Sequence, residues 1–512
     1  MKLLDRYCPV LVWLSLAVLI FFFWFPGHVC MLSYQEQSQM FLFETDYLVD
    51  RITYPGGLAR YVAEFVMQFG RSALYGSVAM TVFLMAYQYA SLLCVRDKNA
   101  GLLTFFLSLV PVVMILACFC DENLSFTMPM AMLFALIAIV AYRHFEKIQW
   151  RTLSVIIITP LLYWVAGPVV FVFAIYVSLN EVLVRKQYVL PLFAIGFSVL
   201  CLYLSSFVVP YPSQRLWLGI NYYKDISSIS LLQVLLMIWG VAAPIGAHYI
   251  PSFSSRWRPF YCALTELAIA LLAIMVLSPL CHDKAKMTVM KTDYLMRNQQ
   301  WKTIITDAER HEPDNPLTVA ALNLALAMTA QQNERAMQFY QNGWEGAFPT
   351  YNTTTETSLF LADIYYYVGM VNLTQRFAFE AMEAIPDNNK SCRVFKRLAE
   401  TNLINGQYEV ARRYLGKLKK TLMYRSWAKT TESLLGDEKA INSHPVYGYL
   451  RKVRLDNDFL YSDTEIDKMM GQLLMHEPTN IIALQYLLLL PKLEGNQQKY
   501  QMYLKFVNSL KK

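Results

Sequence analysis

Charge is scarce in this chain of 512 residues: Asp, Glu, Lys and Arg make up 16% of it, where a soluble globular protein carries about 25%. The shortage lies in one half. Only sixteen of the 45 Lys and Arg residues precede Asp283. Also missing are the common catalytic signatures. There is no Walker loop, no Gly-x-Gly-x-x-Gly, no His-Glu-x-x-His and no Gly-x-Ser-x-Gly, which argues against soluble nucleotide chemistry. Of nine cysteines, only Cys392 follows Cys281, so the second half holds no internal disulfide. The net charge of +7 is modest and spread out, pointing away from nucleic acid. Polar or Gly/Pro-broken segments in two related halves, the mark of a transporter, are absent as well.

What is present is hydrophobic length. Apolar runs fill roughly 9–25, 72–94, 102–118, 128–142, 152–165, 167–184, 189–209, 229–250 and 261–281. Runs of this kind can cross a hydrocarbon core about 30 Å thick as helices. The connections between them alternate in charge. One set holds Lys2, Arg6, Arg96, Lys98, Arg143, Lys147, Arg151, Arg185, Lys186, Arg256 and Arg258; the other holds Arg51, Arg60, Arg71, Arg215 and Lys224. Eleven against five puts the first set, and the N-terminus, in the cytoplasm. An odd number of crossings then carries the C-terminal half outside. Glu181, near the inner end of the sixth run, is expected to pair with Arg185 four residues on.

From about 287 onward the pattern changes to amphipathic helices separated by polar breaks. Pro313, Pro386 and Pro478 fall just after helix ends, where a proline cannot continue the ladder. Segments 292–316, 359–388 and 397–420 resemble tetratricopeptide helix pairs, while 421–465 fits poorly. Such an array offers a surface for a peptide or protein; the alternative is helices that only pack as a wall. The expected fold is all-α: a polytopic membrane bundle over 1–282 and a tetratricopeptide-like α-solenoid over 283–512.

The outer connections carry the candidate chemistry. The longest, 26–71, holds Glu44, Asp46 and Asp50 among aromatics, a turn at Tyr54-Pro55-Gly56-Gly57, and an amphipathic stretch with Tyr61, Val62, Phe65 and Val66 on one face. A later one holds Asp121 and Glu122, and another places Arg215 and Lys224 among tyrosines. Carboxylates can take a proton or hold a divalent cation, and cations can hold a phosphate.

An inside N-terminus, a long acid-bearing first outer loop, an acidic pair in the second and a soluble outer tail resemble the GT-C class of membrane glycosyltransferases. One branch, the transmembrane and tetratricopeptide-repeat O-mannosyltransferases, also ends in helical repeats. The resemblance implies a polyprenyl-phosphate-linked sugar donor at the outer face. Asp46, Asp50 or Glu44 would act as base, Asp121 and Glu122 as metal ligands or sugar-positioning groups, and Arg215 and Lys224 as phosphate ligands. The chain also looks like a bacterial multi-pass family with a repeat-like tail, which suggests the inner membrane and implies no activity. The competing expectation is a non-catalytic membrane scaffold whose tail recruits an outer partner.

Overall fold

Each of the nine apolar runs coincides with a helix in the computed structural model. It describes residues 2–96, 102–119, 121, 123–224, 230–249, 259–281, 283–350, 352, 354–386, 389–456 and 465–510. Among these no strand forms; one antiparallel bridge joins Leu124 and Tyr223. The chain divides into two units, Met1–Glu36 with Phe43–Asp283, and Gln37–Leu42 with Lys284–Lys512.

The first unit comprises α1 (Lys2–Phe22), α2 (Val29–Glu36), α3 (Thr45–Ile52), α4 (Gly57–Met67), α5 (Ala73–Val95), α6 (Leu102–Cys118) and α7 (Thr127–Arg143). It continues with α8 (Ile148–Ala166), α9 (Val170–Leu179), α10 (Val189–Ser205), α11 (Ser213–Leu218), α12 (Leu231–Tyr249) and α13 (Pro259–Cys281). Among the described residues four stretches are long and apolar enough to cross a membrane: Val10–Glu36, Ala73–Val95, Ile148–Ala166 and Leu231–Tyr249. The first of these corrects the expected start of the outer connection. The chain kinks at Phe25, whose φ of −107° and ψ of 119° are not helical, and turns helical again in α2 rather than remaining a loop. All eight residues of α2 are buried.

These helices bury the residues that water-soluble helices expose. On α4 the buried face is Gly57, Arg60, Ala63, Glu64 and Met67. The apolar set that the sequence places on one face, Tyr61, Val62, Phe65 and Val66, is left half-buried or exposed. On α5, Gly76, Ser77, Gln88 and Ser91 turn inward while Leu74, Val78 and Val82 turn outward. Small residues allow close helix approach, and Ser77 and the Gln88 amide nitrogen find partners inside, a pattern suited to apolar surroundings.

The second unit runs from α14 (Lys284–Arg297), α15 (Trp301–Arg310), α16 (Pro316–Met328) and α17 (Gln332–Arg335) to α18 (Thr355–Val368), α19 (Val371–Ala384), α20 (Cys392–Ile404) and α21 (Tyr408–Leu418). Three short helices, α22 (Arg425–Glu432), α23 (Glu438–Ser443) and α24 (Tyr447–Val453), occupy the stretch that fitted the repeat pattern poorly. They are followed by α25 (Ile466–His476), α26 (Ile481–Leu493) and α27 (Gln497–Leu510). Caps explain several starts. Asn315 accepts from the Leu317 N–H ahead of Pro316, and Ser391 and Asn480 cap α20 and α26.

Successive helices pack on one another, but the stack is not purely nearest-neighbour. Helix α26 returns to pack on α16, α17 and α18. Asn480 donates to the Val368 carbonyl at 3.0 Å and Gln485 to the Ala327 carbonyl at 2.9 Å. Helices α16, α18 and α26 are consequently buried nearly all round. At 13 residues, α16 and α26 are as apolar as crossing helices and too short to be one.

Candidate functional site

Two polar clusters form where the connections of the first unit meet its helices. The first joins three distant parts of the chain. Gln35, at the end of α2, donates to the Asp121 main-chain oxygen at 2.9 Å and accepts from the Lys224 ammonium at 3.1 Å. The Asp121 carboxylate accepts from the Tyr223 hydroxyl at 2.7 Å and from the Asn123 N–H at 2.9 Å. The Lys224 N–H donates to the Asn123 carbonyl at 2.9 Å, continuing the Leu124–Tyr223 bridge. The ammonium also lies 5.9 Å from the centre of the Tyr34 ring. The Asp121 main chain and the Lys224 ammonium thus meet at one buried glutamine, while the Asp121 carboxylate is held by Tyr223 and Asn123.

The second cluster lies on α3 and α4. Glu64 accepts from Tyr47 and Arg51 on one oxygen, the latter at 3.0 Å, and from Arg60 at 2.8 Å on the other. Arg60 also donates to the Tyr54 hydroxyl at 2.8 Å, and Arg51 lies 4.5 Å over the Tyr47 ring. Burial pushes the Glu64 carboxyl up, but Arg60 and Arg51 outweigh it and hold it below the usual carboxylate range. Burial and the neighbouring Glu64 push the Tyr47 hydroxyl far up, so it stays protonated and donates.

The residues named from the sequence fall differently. Asp121 and Lys224 come together through Gln35. Asp46 and Asp50 are exposed on α3; Asp46 sits in its first turn, where a negative charge favours the helix N-terminus. Glu44 is half-buried at the N-cap position of α3, and Arg215 is buried on α11. Glu122 lies outside the described residues. The chain belongs to a family of unknown function (DUF6057), whose model matches residues 6–508. That match runs through both units. No curated protein and no solved structure matches the chain.

Of the two expected metal ligands only Asp121 lies among the described residues. Both Asp121 carboxylate oxygens already accept hydrogen bonds. Among the described residues no group of three or more His, Cys, Asp or Glu side chains could hold a metal ion. Sequence reading missed Glu64, Arg60 and Arg51 as a unit. The four-residue spacing of Arg60 and Glu64 was the available signal, but nothing in the sequence marks that face as the buried one.

Proposed function

We propose that this family member is a multi-pass membrane enzyme that transfers a sugar from a polyprenyl-phosphate donor at the outer membrane face, in the manner of the GT-C class. In this reading nine helices cross the membrane, with the N-terminus inside. The observation that supports it is the meeting of Gln35, Asp121, Tyr223 and Lys224. An ammonium held on a buried glutamine, next to a segment whose carboxylate is fixed by Tyr223, suits a phosphate whose tail is lipid and whose head is a sugar.

In the proposed reaction the bond from the sugar's anomeric carbon to the phosphate oxygen breaks, and a bond to the acceptor hydroxyl oxygen forms. The acceptor proton passes to a carboxylate of the first connection, Asp46 by the sequence reading. The lipid phosphate leaves with the electron pair, and Lys224 and Arg215 supply the positive charge that meets it. Asp121 orients the sugar hydroxyls. No step needs a metal.

The second reading, a scaffold whose tail recruits a partner, is favoured by the exposure of Asp46 and Asp50, which nothing in their surroundings prepares for proton transfer. A transfer assay with a radiolabelled polyprenyl-phosphate hexose separates the two. Lys224→Ala and Asp121→Asn should each lower incorporation by at least about a hundredfold. Asp46→Asn should do so if it is the base, since loss of a general base costs about 10²–10⁴ in rate. No incorporation above background by the wild type, at normal membrane levels, would leave the scaffold reading standing, while unchanged incorporation in the Lys224 and Asp121 variants would take those two residues out of the transfer.

A further inference from the structure

The six residues Gln37–Leu42 belong to the same unit as the C-terminal helices, although the sequence splices them between α2 and α3 of the first unit. The segment makes no helix. It is nevertheless buried: Gln37 is 3% exposed, Met40 7%, Phe41 2% and Leu42 6%. Neighbouring side chains of an unwound chain point in opposite directions, so three consecutive buried apolar residues are enclosed from more than one side.

A polar anchor fixes one end. The Gln37 side-chain oxygen accepts from Arg393 Nη1 at 2.6 Å. Arg393 is held for the purpose by two other helices. Nη1 also bonds Asp293 of α14 at 2.8 Å, and Nη2 bonds Asp363 of α18 at 2.6 Å. Arg397, one turn along α20, takes the second Asp363 oxygen at 2.5 Å and lies 3.6 Å over the Tyr366 ring. The guanidinium therefore has no freedom to lose when a carboxamide arrives, which favours binding.

We propose that the C-terminal unit carries a peptide-binding surface centred on Arg393, and that its resident ligand is the chain's own Gln37–Leu42. The ligand class is a short unwound peptide with a glutamine, followed after two residues by Met-Phe-Leu. Arg393, oriented by Asp293 and Asp363, reads the carboxamide, and the apolar triplet supplies the buried area. Covalent attachment gives the internal segment an effective concentration in the millimolar range. An external peptide of the same chemistry is therefore excluded while the segment is seated. This inference does not depend on the transferase reading.

The test uses the full chain in detergent and a fluorescein-labelled synthetic peptide spanning residues 36–43. The double variant Gln37→Ala, Phe41→Ala empties the surface and leaves the Asp293–Arg393–Asp363 pairs intact. Amide exchange over residues 37–42 should be slow in the wild type and at least about tenfold faster in the double variant. Exchange in α14, α18 and α20 should not change, which separates release of the segment from unfolding. Fluorescence anisotropy should show the peptide binding the double variant at least about tenfold more tightly than the wild type. Adding Arg393→Gln to the double variant should abolish that gain. Unprotected exchange of 37–42 in the wild type, or peptide binding no tighter in the double variant, would overturn the proposal.

Discussion

Glu64 shows how a single carboxylate can be committed by its surroundings. It is buried with two guanidiniums and a tyrosine hydroxyl on its two oxygens. Removing its charge strands Arg60, itself buried, and leaves Arg51 half-satisfied. Breaking a buried pair from one side costs about 3–5 kcal/mol, so Glu64→Gln should lower the unfolding midpoint in detergent clearly. The pH dependence has a definite sign. A carboxyl held below its ordinary value of 4.5 contributes stability that is fully present above that pH and is lost as the pH falls through the lower folded value. The gap between wild type and Glu64→Gln should therefore be constant at neutral pH and narrow below about 4.5. A gap that stays constant down to pH 3 would mean that the pairing is not what the variant removed. Glu181 marks how far such pairs are legible in a sequence. Its i+4 partner Arg185 was readable and lies 3.7 Å away, but Arg151 of α8, at 3.0 Å, and Tyr142 of α7, at 2.6 Å, make the shorter contacts.

At the scale of elements, hydropathy located the helices but not the faces by which they pack. Length and apolarity fix a helix in apolar surroundings, but an outside that is itself apolar gives large side chains no reason to turn inward. The face of α4 could therefore not be read from its hydrophobic residues. Likewise Asp121 and Lys224 lie too far apart in sequence for any spacing rule to join them. The tight α3–α4 junction was partly legible as a Pro-Gly-Gly turn, and its glycines have distinct roles. Gly56 adopts φ of +84°, in the left-handed region. At Gly57 an added Cβ would lie 1.6 Å from the Arg51 carbonyl oxygen, so α3 would have to move. Gly57→Ala should consequently destabilise by more than about 3 kcal/mol, at the severe end for one substitution. It should also disturb the Tyr47–Glu64 contact. Gly196 in α10 is the control: a Cβ there meets nothing within 4 Å. Gly196→Ala should be neutral or stabilise by up to about 1 kcal/mol. Equal unfolding midpoints for the two variants would contradict the close approach at Gly57.

For the whole molecule, the number of crossings decides on which side the C-terminal half lies. Val10–Glu36, Ala73–Val95, Ile148–Ala166 and Leu231–Tyr249 meet the length of a crossing helix outright. If only these four crossed, both ends would share one side of the membrane. The other apolar helices argue against so few. Leu102–Cys118, Thr127–Arg143 and Val189–Ser205 have 17 residues each, which spans about 26 Å at about 1.5 Å per residue. That is a few ångströms short of a hydrocarbon core of about 30 Å, a mismatch that local thinning absorbs at modest cost. Their outward faces, with Phe106, Ile137, Leu192 and Val199 exposed, would be costly in water. With the four these helices make seven, an odd number like the nine that the alternating basic connections favour. A reporter active only in the cytoplasm, fused after Lys512, should therefore be silent, while the same reporter placed ahead of Lys2 should be active. Activity at both ends would restore an even number of crossings. If the crossing lost lay before Asp121, the Asp121–Lys224 cluster would leave the compartment in which the proposed donor is presented, and the transferase reading would fall with it.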